Sequence, residues 1–140
     1  MKSFLSKSDE DTKRIAKDLA KKGEFRIVGL TGELGAGKTT FVQGFAKGLG
    51  IKDKIISPTF VLIRQHKIPN TKKVLYHIDL YRLESMEDIK HLGIEEIIGD
   101  PNNIVLIEWA EKMNNKLPPD TVFIKFEKLN DNERRLEIKG

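Results

Sequence analysis

Gly32-Glu33-Leu34-Gly35-Ala36-Gly37-Lys38-Thr39 is a complete G-x-x-x-x-G-K-[ST] octapeptide, and its setting governs how the rest of the chain is read. On its amino side, Phe25-Arg26-Ile27-Val28-Gly29-Leu30 is an apolar run long enough for a buried strand and too short for a helix. On its carboxyl side, Phe41, Val42, Phe45, Ala46 and Leu49 recur at helical spacing until Gly50 supplies a stop. The order is strand, glycine turn, helix. By composition alone, such an octapeptide arises in on the order of one 140-residue chain in two hundred, and the flanking strand and helix lower that frequency further.

The chemistry explains the pattern. A nucleotide tail brings three or four negative charges into a pocket too small for many cationic side chains, so backbone N–H groups must contribute. Glycines permit positive φ and close approach, successive N–H groups line a concave anion nest, and the following helix adds its positive end. The expected nucleotide-binding set on this turn is Gly32, Glu33, Leu34, Gly35, Ala36, Gly37, Lys38, Thr39 and Thr40. Lys38 is expected to reach the β- and γ-phosphates and the Thr39 hydroxyl to ligate Mg²⁺.

Working outward, Ser8-Asp9-Glu10-Asp11 precedes Ile15, Ala16, Leu19 and Ala20, which predicts a capped amphipathic helix running to about Lys22. Thr59 to Ile68 and Lys73 to Tyr81 read as an antiparallel hairpin turned by Pro69-Asn70-Thr71-Lys72. Ser85 to Leu92 reads as a helix stopped by Gly93, with Ile94 to Ile98 adding a further turn or two. Ile104-Val105-Leu106-Ile107 suits a central parallel strand that delivers Glu108 and Trp109 to its carboxyl edge. Thr121 to Glu127 and Arg134 to Lys139 alternate as strands, linked by Asn130-Asp131-Asn132. The expected fold class is α/β: a three-layer P-loop fold with a mostly parallel central sheet plus an antiparallel hairpin.

Length and composition bound the rest. One hundred and forty residues suit one P-loop domain, residues 1–140, and a second folded domain is not expected. With 39% hydrophobic and 33% charged residues, the chain reads as soluble and globular; 25 basic against 21 acidic residues permits a polyanionic ligand or RNA without requiring one. Zero cysteines exclude disulfides, thiol nucleophiles and Cys-ligated zinc, and three histidines without a His-x-x-x-His pair argue against a metal cage. Acidic residues near the start, and the absence of a run near the ~18 apolar residues of a membrane span, predict a cytoplasmic protein.

A phosphate turn binds nucleotide, whereas hydrolysis also needs an acid that holds Mg²⁺ or orients water, normally from the end of an adjacent strand. Glu108, after four apolar residues, and Asp79, in His77-Ile78-Asp79-Leu80-Tyr81-Arg82, are the two candidates. Ser57-Pro58-Thr59-Phe60 lies where many P-loop enzymes carry a phosphate-sensing threonine, so Thr59 joins the nucleotide set. Trp109 reads as core or rim packing, and His66, His77 and His91 as structural or solvated. Asn115-Lys116-Leu117-Pro118 lacks the Asp of an Asn-Lys-x-Asp guanine motif, which favours ATP over GTP.

Several stretches together resemble one family, the TsaE (YjeE) ATPases. They are Leu34-Gly35-Ala36-Gly37-Lys38-Thr39-Thr40-Phe41, Ser57-Pro58-Thr59-Phe60, His77-Ile78-Asp79-Leu80-Tyr81-Arg82-Leu83, Leu92-Gly93-Ile94 and Ile107-Glu108-Trp109, covering about residues 8–140. The resemblance implies an ATPase that works with TsaD and TsaB, which install threonylcarbamoyl on adenosine 37 of tRNA; ATP resets that complex between turnovers, and contact with tRNA is indirect. It also implies that Lys38 is the phosphate-binding lysine, Thr39 a Mg²⁺ ligand, and Asp79 and Glu108 the acids at the metal and attacking water. Arg134 falls near a late basic position of the family and is expected beside the nucleotide, and the protein alone is expected to be a monomer. Where the family often continues toward a Glu-Tyr pair, this chain has Gln65-His66. Two other functions stay open at this point: a small P-loop kinase acting on a metabolite, and a nucleotide-gated binding module.

Overall fold

The strand expected ahead of the glycine turn forms as Ile27–Gly32 and the helix after it as Lys38–Gly48, in a computed structural model that describes residues 2–55 and 62–140. In chain order the described residues form β1 (Lys2–Ser6), α1 (Asp9–Lys21), β2 (Ile27–Gly32), α2 (Lys38–Gly48), β3 (Ile63–Lys67) and β4 (Val74–Asp79). There follow α3 (Met86–Lys90), α4 (Ile94–Gly99), β5 (Asn103–Glu108), a 3₁₀ turn (Ala110–Met113), β6 (Val122–Lys128) and β7 (Arg134–Lys139).

The strands lie in the order β1-β7-β6-β2-β5-β4-β3. The four central strands, β6, β2, β5 and β4, run parallel. Antiparallel strands flank them on both sides: the expected β3–β4 hairpin at one edge, and β6, β7 and β1 at the other. β1 is the element that sequence reading misses. Its five residues, Lys-Ser-Phe-Leu-Ser, place two apolar residues side by side without alternation, and the strand exists because β7 offers it an edge in register from Lys2↔Ile138 to Ser6↔Arg134. Ser8 caps α1 by accepting from the Asp11 N–H at 3.0 Å. Thr12 is tied instead to Ser6, at 2.6 Å between hydroxyls, so neither residue is directed to the site described below.

Helices cover both faces of the central strands, which gives the three layers. Alternation along each strand sorts the core. Val28, Leu30, Leu75, Ile104, Leu106 and Ile124 pack under α1 and α2, with Phe41 and Phe45 of α2 fully buried among them. Ile27, Ile78, Val105 and Ile107 pack on the other side against Ile89 of α3, Ile94 and Ile98 of α4 and Met113. At roughly 25 cal/mol per Å² of apolar area, burying a Phe or Leu contributes about 1.5–3 kcal/mol each, so the fold rests chiefly on these two cores. Among the described residues, no helix is long and apolar enough to cross a membrane.

Candidate functional site

Because β2, β5 and β4 are parallel neighbours, their carboxyl ends open at one edge of the sheet, where an open α/β fold forms its crevice. The register sets Asp79 opposite Glu108 and Glu108 opposite Leu30. Alternation then decides the face. Leu75 and Leu106 point toward α2, so His77 and Asp79 on β4 and Glu108 on β5 share that face with the first turn of α2. Two acids separated by 29 positions in the chain thus meet the glycine turn.

The turn itself has the backbone that the octapeptide anticipates. Gly32 sits at φ 130°, and a Cβ there would fall 2.4 Å from the carbonyl oxygen of Phe126, so β6 closes against the loop only because no side chain intervenes. Gly37, at φ 104°, is the residue from which α2 starts, a left-handed conformation open to glycine at little cost. No side chain caps α2, and the N–H groups of its first turn face the cleft without a side-chain acceptor at the N-cap.

Lys38 is 5% exposed, and its Nζ donates to the carbonyls of Gly32 at 2.6 Å and Glu33 at 2.8 Å. The same ammonium lies 4.2 Å from the Trp109 ring centroid. Two of its three hydrogens are thereby committed, and one remains for a further acceptor. Burial holds the Lys38 amine below the usual lysine range, opposed by Glu111, Glu108, Asp79 and Glu33. Burial likewise pushes the Asp79 carboxyl above its ordinary value; the Tyr81 N–H, 3.0 Å from Oδ1, opposes this, while neighbouring Glu108 adds to it. A site in which one carboxyl, Asp79, and one lysine, Lys38, have shifted proton affinities is prepared to receive charge from outside.

Thr39 Oγ1 donates to Glu108 at 2.9 Å and 3.0 Å, one hydrogen shared between the two carboxylate oxygens. That leaves the lone pairs of the hydroxyl oxygen available to a cation. Among the described residues, no group of three or more His, Cys, Asp and Glu gathers as a metal cage. Two carboxylates and one hydroxyl instead make a sparse oxygen set of the kind that suits Mg²⁺ shared with phosphate oxygens. The residues therefore fit a nucleotide–Mg²⁺ pair.

A cleft of about 440 Å³ joins these groups. Of the residues expected from the sequence, Leu34, Gly35, Gly37, Lys38, Thr39, Thr40, Asp79, Glu108 and Arg134 line it. Arg134, from β7, donates to the Gly35 carbonyl at 3.3 Å, across 99 positions of chain. Gly32 and Glu33 act behind the wall as acceptors for Lys38, and Ala36 is buried beneath the turn. Thr59, with Ser57, Pro58 and Phe60, lies outside the described residues. Gln65 and His66 sit on β3, where His66 Nδ1 is 3.0 Å from Asp53, and neither lines the cleft.

Several neighbours went unread in the sequence. Trp109, expected in core or rim packing, lines the cleft rim, and its backbone stands at φ 60°, a rare conformation for a bulky side chain. The turn that follows β5 holds its indole against Tyr81, 5.1 Å between ring centroids, and under Lys38. Glu111, on the 3₁₀ turn, accepts from the Gly32 N–H at 3.2 Å. Asp9 and Arg82 also line the cleft. His77 is buried and donates to Glu108. Strand alternation was the available signal for His77, since it stands two residues before Asp79.

Comparison with known proteins bears on the family and the fold. A family model described as threonylcarbamoyl adenosine biosynthesis protein TsaE matches residues 6–136. A tRNA threonylcarbamoyladenosine biosynthesis protein TsaE from Rickettsia conorii is 43% identical over 94% of this chain and 74% of its own length. One from Treponema pallidum is 39% identical over 96% and 97%, and one from Bacillus subtilis 39% identical over 91% and 78%. The crystal structure of Bacillus subtilis YdiB superposes with a TM-score of 0.77 at 32% identity, covering 96% of this chain and 82% of that one. Turn, acids and overall fold together lead to one assignment: the chain belongs to the TsaE family of threonylcarbamoyl adenosine biosynthesis proteins.

Proposed function

We propose that this protein is the ATP-binding and ATP-hydrolysing member of the tRNA-modification machinery, driving turnover of a TsaD–TsaB complex and meeting tRNA through that complex. The observation that carries the proposal is the convergence of Lys38 and Thr39 with Asp79 and Glu108 at one cleft. The glycine turn and the first turn of α2 bind the phosphates, and Lys38 adds a positive charge held rigidly by the Gly32 and Glu33 carbonyls. Mg²⁺, when bound, neutralises phosphate charge. Thr39 and Asp79 would hold the cation, Glu108 would orient water and take up its proton, and Arg134 lies close enough to the turn to meet phosphate oxygens.

The test is phosphate release by the purified protein with and without TsaD–TsaB, together with multi-turnover tRNA modification in a reconstituted system. Release stimulated by the partners, and loss of modification in Lys38→Ala and Glu108→Gln, is the expected result. Undiminished modification by both variants would overturn the proposal.

A further inference from the structure

The ring of His77 is fully buried on β4 in a register opposite Leu106, with Leu75 two residues before it on the same face. Both of those neighbours are apolar, and packing alone would favour an apolar residue here too. An imidazole with a nitrogen left unpartnered is a costly occupant of such a position. Among the described residues, Nδ1 of His77 has no hydrogen-bond partner. Nε2 lies 2.5 Å from Oε2 of Glu108. A carboxylate only accepts, so Nε2 carries the hydrogen, and among the described residues Glu108 is the hydrogen-bond partner of the ring.

We infer that His77 is a positioning residue whose Nε2–H holds Oε2 of Glu108 and so presents Oε1 to the cleft. This rests on the reading of Glu108 as the acid of an ATP hydrolase. Thr39 shares its hydroxyl hydrogen between both oxygens of Glu108 and does not distinguish them, whereas His77 bonds one only. Glu108 is 3% exposed and lines the cleft, where Thr39 meets both of its oxygens and His77 fixes Oε2.

Three variants separate positioning from packing. His77→Gln carries an amide N–H to about the place of Nε2, His77→Asn falls short of it, and His77→Leu fills the space without a donor. Loss of such a supporting bond costs roughly 10–100-fold in activity, so kcat for phosphate release should fall by that factor in His77→Asn and His77→Leu. ATP affinity measured calorimetrically and KM should change by no more than about threefold, with His77→Gln recovering most of kcat. In a Glu108→Gln background, His77→Leu should have no further effect. Independently of turnover, the chain has three histidines, so ¹⁵N-histidine labelling should reveal a slowly exchanging Nε2–H resonance that moves in Glu108→Gln.

Native kcat in folded His77→Leu, an undiminished effect of that substitution in the Glu108→Gln background, or an Nε2–H resonance indifferent to Glu108 would each overturn the inference. Should His77→Leu fail to fold, the Gln and Asn variants decide, since equal kcat for the two contradicts it. Native turnover in Glu108→Gln would instead reject the underlying hydrolase reading, and the resonance would still report whether the His77–Glu108 bond exists.

Discussion

The two ends of the parallel strands solve opposite problems. At their amino ends, Arg26 donates to three backbone carbonyls, those of Ile98 at 3.0 Å, Asp100 at 3.3 Å and Asn103 at 3.4 Å, and Asn103 donates to Ile97 at 2.9 Å. Polar groups there are matched with neutral acceptors and tie α4 to the start of β5. At the carboxyl ends, Lys38, Asp79 and Glu108 are buried together, two of them with displaced proton affinities, and Trp109 takes a left-handed backbone. At one end side chains tie neighbouring elements together, and at the other, on the function proposed above, the buried charges are matched by a charged ligand. Such a contrast between a stabilising and a strained end is what a binding site requires of its scaffold.

Substitutions at the two ends should therefore part company. The largest effect is expected for Glu108→Gln: phosphate release should drop roughly 10²–10³-fold with ATP affinity retained, as single-turnover kinetics and calorimetry would reveal. A variant that loses affinity but keeps its single-turnover rate would break the contrast. Arg26→Ala should do the reverse, lowering unfolding free energy by about 2 kcal/mol in urea titrations and leaving ATP affinity per folded molecule unaltered.

Asp79→Asn sharpens the comparison through pH. Because burial raises the Asp79 carboxyl in the folded chain, the unfolded state releases its proton first as pH rises, and folded-state stability is lost through that window. Without nucleotide or Mg²⁺, Asp79→Asn should consequently melt higher than the native chain at neutral pH, by at most about a few degrees. The gap should close below the ordinary carboxylate range, where both states are protonated. The smallest effect is expected on the outer face of β6 and β7, where Arg135 meets Glu127 at 3.2 Å with both side chains about half exposed. Arg135→Ala should change stability by no more than roughly 1 kcal/mol.

Much of the fold was legible because its decisive signals are local. The octapeptide, the apolar run before it, the helical spacing of Phe41, Val42 and Phe45, and the strand Ile104-Val105-Leu106-Ile107 each need only a short window. Asp79 and Glu108 were legible as acids at strand ends, and parallel pairing brings them together. β1 was not, since Phe4 and Leu5 carry no period and the strand depends on β7, some 130 positions away in register. The left-handed Trp109, the Glu111 contact with the turn and the His77–Glu108 bond were also hidden. Each is a relation between two elements, and sequence pattern specifies the face of a residue far better than its partner.

On the proposed function, the glycine turn and its lysine capture a nucleoside triphosphate. Calorimetric titration of ATP·Mg²⁺ into the native chain and into Lys38→Ala, both first verified as folded by circular dichroism, tests it most directly. The native chain should bind one equivalent saturably, and Lys38→Ala should lose that binding. Absence of binding by the native chain, or equal affinity in the two proteins, would contradict it.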